Sequence, residues 1–345
     1  MLRLSLAVSL ALAGAAVAAG PATREQLMAP PAGARHYTIS SVAGKHGDVW
    51  SWQMPDGRIG YRMSMSLRGW VTETDDVMSL APDKRPIAIA IRGYTDSGDA
   101  TEDFHVDASG VAHWKTVIDA GTAPFAGKRY NTYGGPWLAS ESDVEALVAA
   151  GAKGIDLLPT GHASIAIGAP TRITGPQGPK TVKLAFITGY GFSPSPVWLD
   201  ADNHFFGNAG IVSLLPEGYE QAGPQLKKVQ DDATAAMVRD VAHRFLSPAN
   251  ATPTLVDHVL LFDSIAGRYL PDRAVLIADG KVAQVGAGGT IAAPPGATVL
   301  DGRDKTILPG LWDAHRHVGG DDWNLLQNVA TGMTNYRSPG SMIDE

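Results

Sequence analysis

A chain of 345 residues with 44% hydrophobic and 18% charged residues has an ordinary globular composition and a length that accommodates two domains. Its net charge of −7 argues against nucleic acid as a partner, because that requires a basic face. Cysteine is absent, which excludes a disulfide framework, a thiolate metal site and a cysteine nucleophile.

Met1 to Ala19 read as a secretory signal. Arg3 supplies a positive start, Leu4 to Val17 form an apolar run too short to span a bilayer comfortably, and Ala16-Val17-Ala18 offer a small-residue cleavage site. No Cys follows as a lipid attachment point. The expectation is export to a periplasm or the medium, with no stable membrane insertion once the signal is cleaved. Gly20 to Gly33, with Pro21, Pro30 and Pro31, read as an irregular N-terminus.

Residues 36–246 read as a β-rich domain. Val49 to Met54 and Ile59 to Leu67 flank the turn Pro55-Asp56-Gly57-Arg58, and Asp103 to Val106 and Val111 to Ile118 flank Asp107-Ala108-Ser109-Gly110. Ala163 to Thr174 and Lys180 to Thr188 face each other across a Gly/Pro turn. Val197 to Asp200 and His204 to Phe206 form another hairpin. This spacing predicts an antiparallel meander in one large curved sheet. A helix is expected over Glu141 to Ala150, with Ser140 as N-cap and Gly151 beyond its end. A longer one is expected over Pro216 to Phe245, with Pro224 in its first turn and an apolar stripe of Leu226, Val229, Ala233, Met237, Val241 and Phe245. Residues 247–254, Ser-Pro-Ala-Asn-Ala-Thr-Pro-Thr, are the clearest linker.

Little in that first domain points to chemistry. Asp200 to His204 begin like a calcium loop, but Phe205 stands where Gly is required, so a turn is expected. His105, His113 and His162 fall in separate strand contexts and read as structural. Gly189 to Ser195 lack the glycine that a nucleophile elbow needs after its serine. Gly286-Ala287-Gly288-Gly289 precede no helix pattern, against a dinucleotide site.

The stretch that carries chemistry is Pro309-Gly310-Leu311-Trp312-Asp313-Ala314-His315-Arg316-His317-Val318. Leu311 to Val318 has strand character, and alternation puts Asp313, His315 and His317 on one face. Two imidazoles at that spacing can converge on one metal ion, zinc first among the borderline-soft candidates.

This stretch resembles the end of the first barrel strand in the amidohydrolase superfamily. Val259 to Asp263 and Ala274 to Gly286 resemble the paired strands of that family's small β-sandwich, Val299 to Leu308 its return into the barrel, and Gly332 to Arg337 its second strand. The resemblance implies an α+β chain in several parts: an antiparallel curved-sheet domain (36–246), a linker (247–254), a β-sandwich portion (255–308), and the start of a TIM (β/α)8 barrel (309–345). It implies His315 and His317 as metal ligands, Asp313 as a hydrogen-bonding residue beneath them, and a divalent metal, zinc by preference. The implied reaction is hydrolysis of a C–N bond in an amide, cyclic amide or small peptide, on a small-molecule or peptide substrate, as in imidazolonepropionase-like and prolidase-like members. A full barrel takes about 250 residues, so the family's remaining ligands and base would lie beyond Glu345, and an inactive N-terminal part is expected. The competing reading is an exported, non-enzymatic protein whose curved sheet holds an apolar ligand and whose C-terminal tail is a decayed amidohydrolase remnant. The oligomeric state is left open.

Overall fold

The computed structural model describes residues 21–245, 252–316 and 323–338. Residues 1–19, read as a signal with its cleavage site, most of the stretch read as a linker (247–251) and His317 lie outside the described residues. Among the described residues no helix is long and apolar enough to cross a membrane.

Alternating apolar residues and tight turns give the expected hairpins. β1 (Arg35–Ser41), β2 (Gly44–Gln53), β3 (Ile59–Leu67), β4 (Trp70–Leu80) and β5 (Pro86–Thr95) run antiparallel, followed by the short β6 (Gly98–Asp99), then β7 (Glu102–Val106), β8 (Val111–Lys115) and β9 (Ala120–Pro124). The chain continues through β10 (Arg129–Tyr130), α1 (Glu141–Ala150), β11 (Ile155–Leu158), β12 (His162–Gly175), β13 (Gly178–Thr188), β14 (Ser195–Asp200) and β15 (Phe205–Gly207). β16 (Ser213–Pro216) then returns to pair with β1.

The single curved sheet expected here is in fact two. One runs β16-β1-β2-β3-β4-β5-β7-β8-β9 with β6 on β5, and the other runs β10-β11-β12-β13-β14-β15. The break falls after β9, where Ala126 and Gly127 take positive φ and Lys128 N–H closes a turn on the Phe125 carbonyl at 2.7 Å. β10 then pairs in parallel with β11 instead of extending the first sheet. Both sheets feed one core, with Tyr61, Met63, Ile89, Ile91 and Phe104 from the first and Ala163, Ala185, Val197, Leu199 and Phe205 from the second. Each fully buried large apolar side chain contributes about 1.5–3 kcal/mol.

Strand β4 has both faces covered. Thr74 and Asp76 point to the core side, while Glu73 and Asp75 face Arg62 and Arg92. The N-terminal segment lies over this second face: Met28 N–H donates to Asp75 at 2.7 Å and Arg24 pairs with Glu73 at 3.3 Å. Gly93 on β5 sits opposite Thr74 with φ +128°, and a Cβ there would fall 1.9 Å from the Glu73 carbonyl oxygen. Gly93→Ala is therefore expected to lower unfolding free energy by about 2 kcal/mol. The check is a chemical-denaturation midpoint, and an unshifted midpoint would show that β5 yields without cost.

Helix α1 spans the expected residues with Ser140 at the N-cap position, but the Ser140 side chain makes no capping bond. Ser140 is already αR, and its hydroxyl donates back to the Trp137 carbonyl at 2.7 Å, so a 3₁₀ turn (Trp137–Ser140) runs straight into the helix. Gly151, at φ +56°, ends it. The second long helix, α2 (Gly223–Phe245), starts later than Pro216, which belongs to β16; Pro224 is in its first turn after a separate turn at Glu220–Ala222. Along its stripe Leu226 is buried and Val229, Ala233, Met237 and Val241 are half-buried.

The chain divides into two compact units between Gln225 and Leu226, inside α2 and ahead of the 247–254 stretch read as a linker. Thr254, assigned to that linker, already pairs in a strand. In the second unit β17 (Thr254–Asp263), β18 (Arg268–Ala278), β19 (Lys281–Ala287), β20 (Thr298–Asp301) and β21 (Thr306–Ile307) form a sheet ordered β19-β18-β17-β20, with β21 also on β17. β17 pairs antiparallel with β18 and parallel with β20 and β21. Then come β22 (Leu311–Asp313), α3 (Trp323–Ala330) and β23 (Met333–Tyr336), a strand–helix–strand unit whose two strands are parallel.

Candidate functional site

The local sequence explains how β22 and β23 meet. A Cβ at Gly310 would lie 1.9 Å from the Thr334 hydroxyl oxygen, so only glycine lets β23 approach this closely. Gly332, at φ +81°, turns the chain out of α3 and into β23. The ladder runs from Leu311 N–H to the Gly332 carbonyl at 2.9 Å, then Arg337 N–H to Asp313 at 2.8 Å and Arg316 N–H to Arg337 at 3.0 Å. Leu311 to Asp313 is therefore a paired strand with a parallel neighbour, the smallest element from which a parallel α/β architecture is built. Two such strands do not by themselves make a barrel.

The strand is shorter than the sequence predicts. It ends at Asp313, whose carboxylate accepts the backbone N–H of His315 at 3.0 Å. Such a local bond competes with the strand ladder and turns the backbone. Ala314 and His315 accordingly form a bend, with His315 exposed and Asp313 half-buried. Strand alternation therefore does not set the direction of His315, although the Asp313–His315 contact holds the two residues together at the C-terminal end of β22. His317 lies outside the described residues.

In donor chemistry, one imidazole with an adjacent carboxylate suits a divalent cation such as zinc. Within the described residues, no group of three His, Cys, Asp or Glu side chains is placed to hold a metal ion. A catalytic zinc site takes three protein ligands plus water, so Asp313 and His315 alone are a partial donor set.

The other histidines are placed more definitely than the sequence indicated. His105 and His113, read as structural residues in separate strand contexts, are direct cross-strand partners on β7 and β8, stacked at 5.0 Å with planes 12° apart. Each also has a carboxylate, Asp103 at 3.0 Å and Asp107 at 2.9 Å. His162 bonds Asp156 at 2.8 Å. Asp200 accepts the backbone N–H groups of Asp202 and His204, both at 2.9 Å, so Asp200 to His204 form a tight turn. Gly288 packs against His258 and Asp272, where any Cβ would come within 2.2 Å of Asp272. The His258 ring bonds Asp272 at 2.7 Å, and that bond, with Asp257 nearby, raises its pKa.

The sequence reading missed a group of buried ionisable residues in the first unit. Asp76, Glu102, Glu141 and Arg129 are all nearly inaccessible to solvent. Burial pushes the carboxyls of Asp76, Glu102, Glu141 and Asp143 upward, while Arg35 opposes the shift at Glu141 and Arg129 opposes it at Asp143. The one sequence signal was the run Glu73-Thr74-Asp75-Asp76, which sets acids on both faces of a strand.

Over 70 residues, 20% of this chain, the sequence is 37% identical to the dihydroorotase of Pelotomaculum thermopropionicum. Over 66 residues, 19% of the chain, it is 36% identical to the dihydroorotase of Citrifermentans bemidjiense. These matches span 16% and 15% of the two relatives, so the chain covers about a sixth of their length. The solved structure of a prolidase-like protein from Bifidobacterium longum shares 26% identity over 26% of this chain and 24% of that one, at a TM-score of 0.25. No family model matches the chain. The likeness to amidohydrolase-superfamily hydrolases thus holds over about a fifth of the sequence.

Proposed function

We propose that this chain carries the first metal-binding segment of an exported, divalent-metal-dependent hydrolase acting on C–N bonds of amides, cyclic amides or small peptides. The observation that carries the reading is the parallel β22–α3–β23 unit with Asp313 and His315 at the end of its first strand. The 37% identity with a dihydroorotase over 70 residues supports it. His315 and His317 are assigned as ligands, with zinc the preferred ion. When bound, such an ion supplies a water acidic enough to ionise near neutral pH and polarises the substrate carbonyl. Asp313 holds the turn that presents His315, through its bond to the His315 backbone N–H. Arg3 and the apolar run after it support export.

Equilibrium dialysis of the chain against zinc chloride, followed by metal analysis, tests the ligand assignment. The intact chain is expected to retain zinc weakly, as befits an incomplete ligand set. The double variant His315→Ala, His317→Ala is expected to retain none above a zinc-free control. Equal zinc in both proteins would show that these histidines are not ligands. Dihydroorotate and an X-Pro dipeptide are the substrates to assay first in any longer form of the protein.

A further inference from the structure

In the first unit, the loop from β10 to α1 borders a cavity of about 470 Å³, within the range of small-molecule sites. Six of its lining side chains matter here: Asn131, Tyr133, Trp137, Ser140, Asp143 and Asn208. Tyr133 and Trp137 remain 62% and 41% exposed. Rings of this size usually bury much of their area, and burying them would be favourable. What keeps them out is the anchoring of the loop. The carboxylate of Glu102, itself 2% exposed, accepts the backbone N–H groups of Tyr133 at 3.0 Å and Gly134 at 3.1 Å. Gly135 follows at φ +98°, and a Cβ there would come within 2.8 Å of Ile91. The loop is thus fixed to the core through its backbone, and its two aromatic residues line the cavity while staying partly exposed.

Charge in the cavity is compensated. Asp143, its one acid, accepts a hydrogen bond from Arg129 Nε, and Arg129 also donates to the Ser142 hydroxyl at 2.6 Å. No net charge is left to select an ion. The polar side chains that remain are two carboxamides, Asn131 and Asn208, and the hydroxyls of Thr132 and Ser140. Ser140 already donates to the Trp137 carbonyl and offers only acceptance, whereas the carboxamides and Thr132 both donate and accept, as the hydroxyls of a sugar do. Flat apolar rings beside such groups match a pyranose, which has an apolar C–H face and a hydroxylated edge.

We propose that this pocket binds a neutral saccharide, with Tyr133 and Trp137 as stacking surfaces and Asn131, Asn208 and Ser140 as hydroxyl partners. This function is separate from the metal reading and from the expectation of an apolar ligand. The test is titration of the intact chain with maltotriose, cellotriose and chitotriose, and in parallel with choline chloride, followed by calorimetry and tryptophan fluorescence. Saturable binding of at least one trisaccharide is expected. Trp137→Ala should weaken it at least tenfold, and Tyr133→Ala severalfold, with the thermal midpoints of both variants unchanged. Trp70→Ala, which removes another exposed indole on β4, should bind as the parent does. Three results would overturn the proposal: no saturable response to any of the three sugars, undiminished binding in both pocket variants, or binding of choline alone, which would mark a cation cage instead.

Discussion

Exchanging Arg129 for Met is expected to destabilise the first unit by about 3–5 kcal/mol, the usual cost of stranding one member of a buried ion pair. Arg129 is 2% exposed and donates to Asp143 and to the Ser142 hydroxyl. Burial drives the Asp143 carboxyl upward and the guanidinium opposes it, so removing Arg129 leaves a desolvated acid with no compensation. For a unit of this size each kcal/mol moves the midpoint by roughly 2–4 °C, and the single variant should melt roughly 10 °C lower. Adding Asp143→Asn removes the stranded charge and should restore most of the loss. The pair of melts, single and double, decides the matter. A single variant that melts with the parent would mean the pair adds nothing, whereas a double variant as weak as the single would assign the loss to packing of the Arg129 stem.

Much of the fold was legible from the sequence where the deciding forces are local. The loop Asp107 to Gly110 closes a hairpin, and closing it symmetrically places His105 opposite His113; the cross-strand stack therefore follows from the same turn that gave the strands. Helix α1 was equally plain, because its apolar positions and the following glycine are all nearby in sequence. Division into two sheets was not legible. It depends on β10 leaving the first sheet to pair in parallel with β11, Arg129 against Leu157, and no local pattern specifies a contact across that much intervening chain.

The candidate site shows the same limit at shorter range. Alternation along Leu311 to Val318 assumed an unbroken strand, but the Asp313 carboxylate competes for the backbone N–H of His315 and ends it. Asp in that position could have been read as a turn-former as readily as a residue beneath a metal. The buried acids were hidden for a different reason. A strand with Glu73 and Asp75 on one face and Asp76 on the other reads as partly solvated, and only tertiary structure shows that the segment around Met28 covers the first face and the core the second.

Asp76 should make the first unit lose stability as pH rises. The side chain is 0% exposed, and neither carboxyl oxygen has a side-chain partner among the described residues; the Ala90 backbone N–H is the one group that favours its charge, and it is outweighed by burial. Tyr61 lies directly opposite on β3, but its hydroxyl donates to Glu141 at 3.2 Å, and Arg35 on β1 is likewise engaged with Glu141 at 2.7 Å. Across β5, Ile91 separates Asp76 from Glu102 on β7, and Asp75 adjoins it on its own strand. Burial first, then the charges of Glu102 and Asp75, raise the Asp76 pKa well above its ordinary value. The unfolded chain ionises this group near pH 4, so its contribution is fully present below that pH. Above it the unfolded state gives up a proton that the folded state keeps, and stability falls by about 1.4 kcal/mol per pH unit until the folded pKa is reached. Glu102, Glu141 and Asp143 are shifted the same way and add to the trend. Asp76→Asn keeps the shape of the protonated acid and cannot ionise. It should melt close to the parent at pH 5 and several degrees above it at pH 8, with the gap widening steadily between. A constant difference across that range would mean that Asp76 is already ionised in the fold, held by a partner that the burial of its oxygens does not reveal.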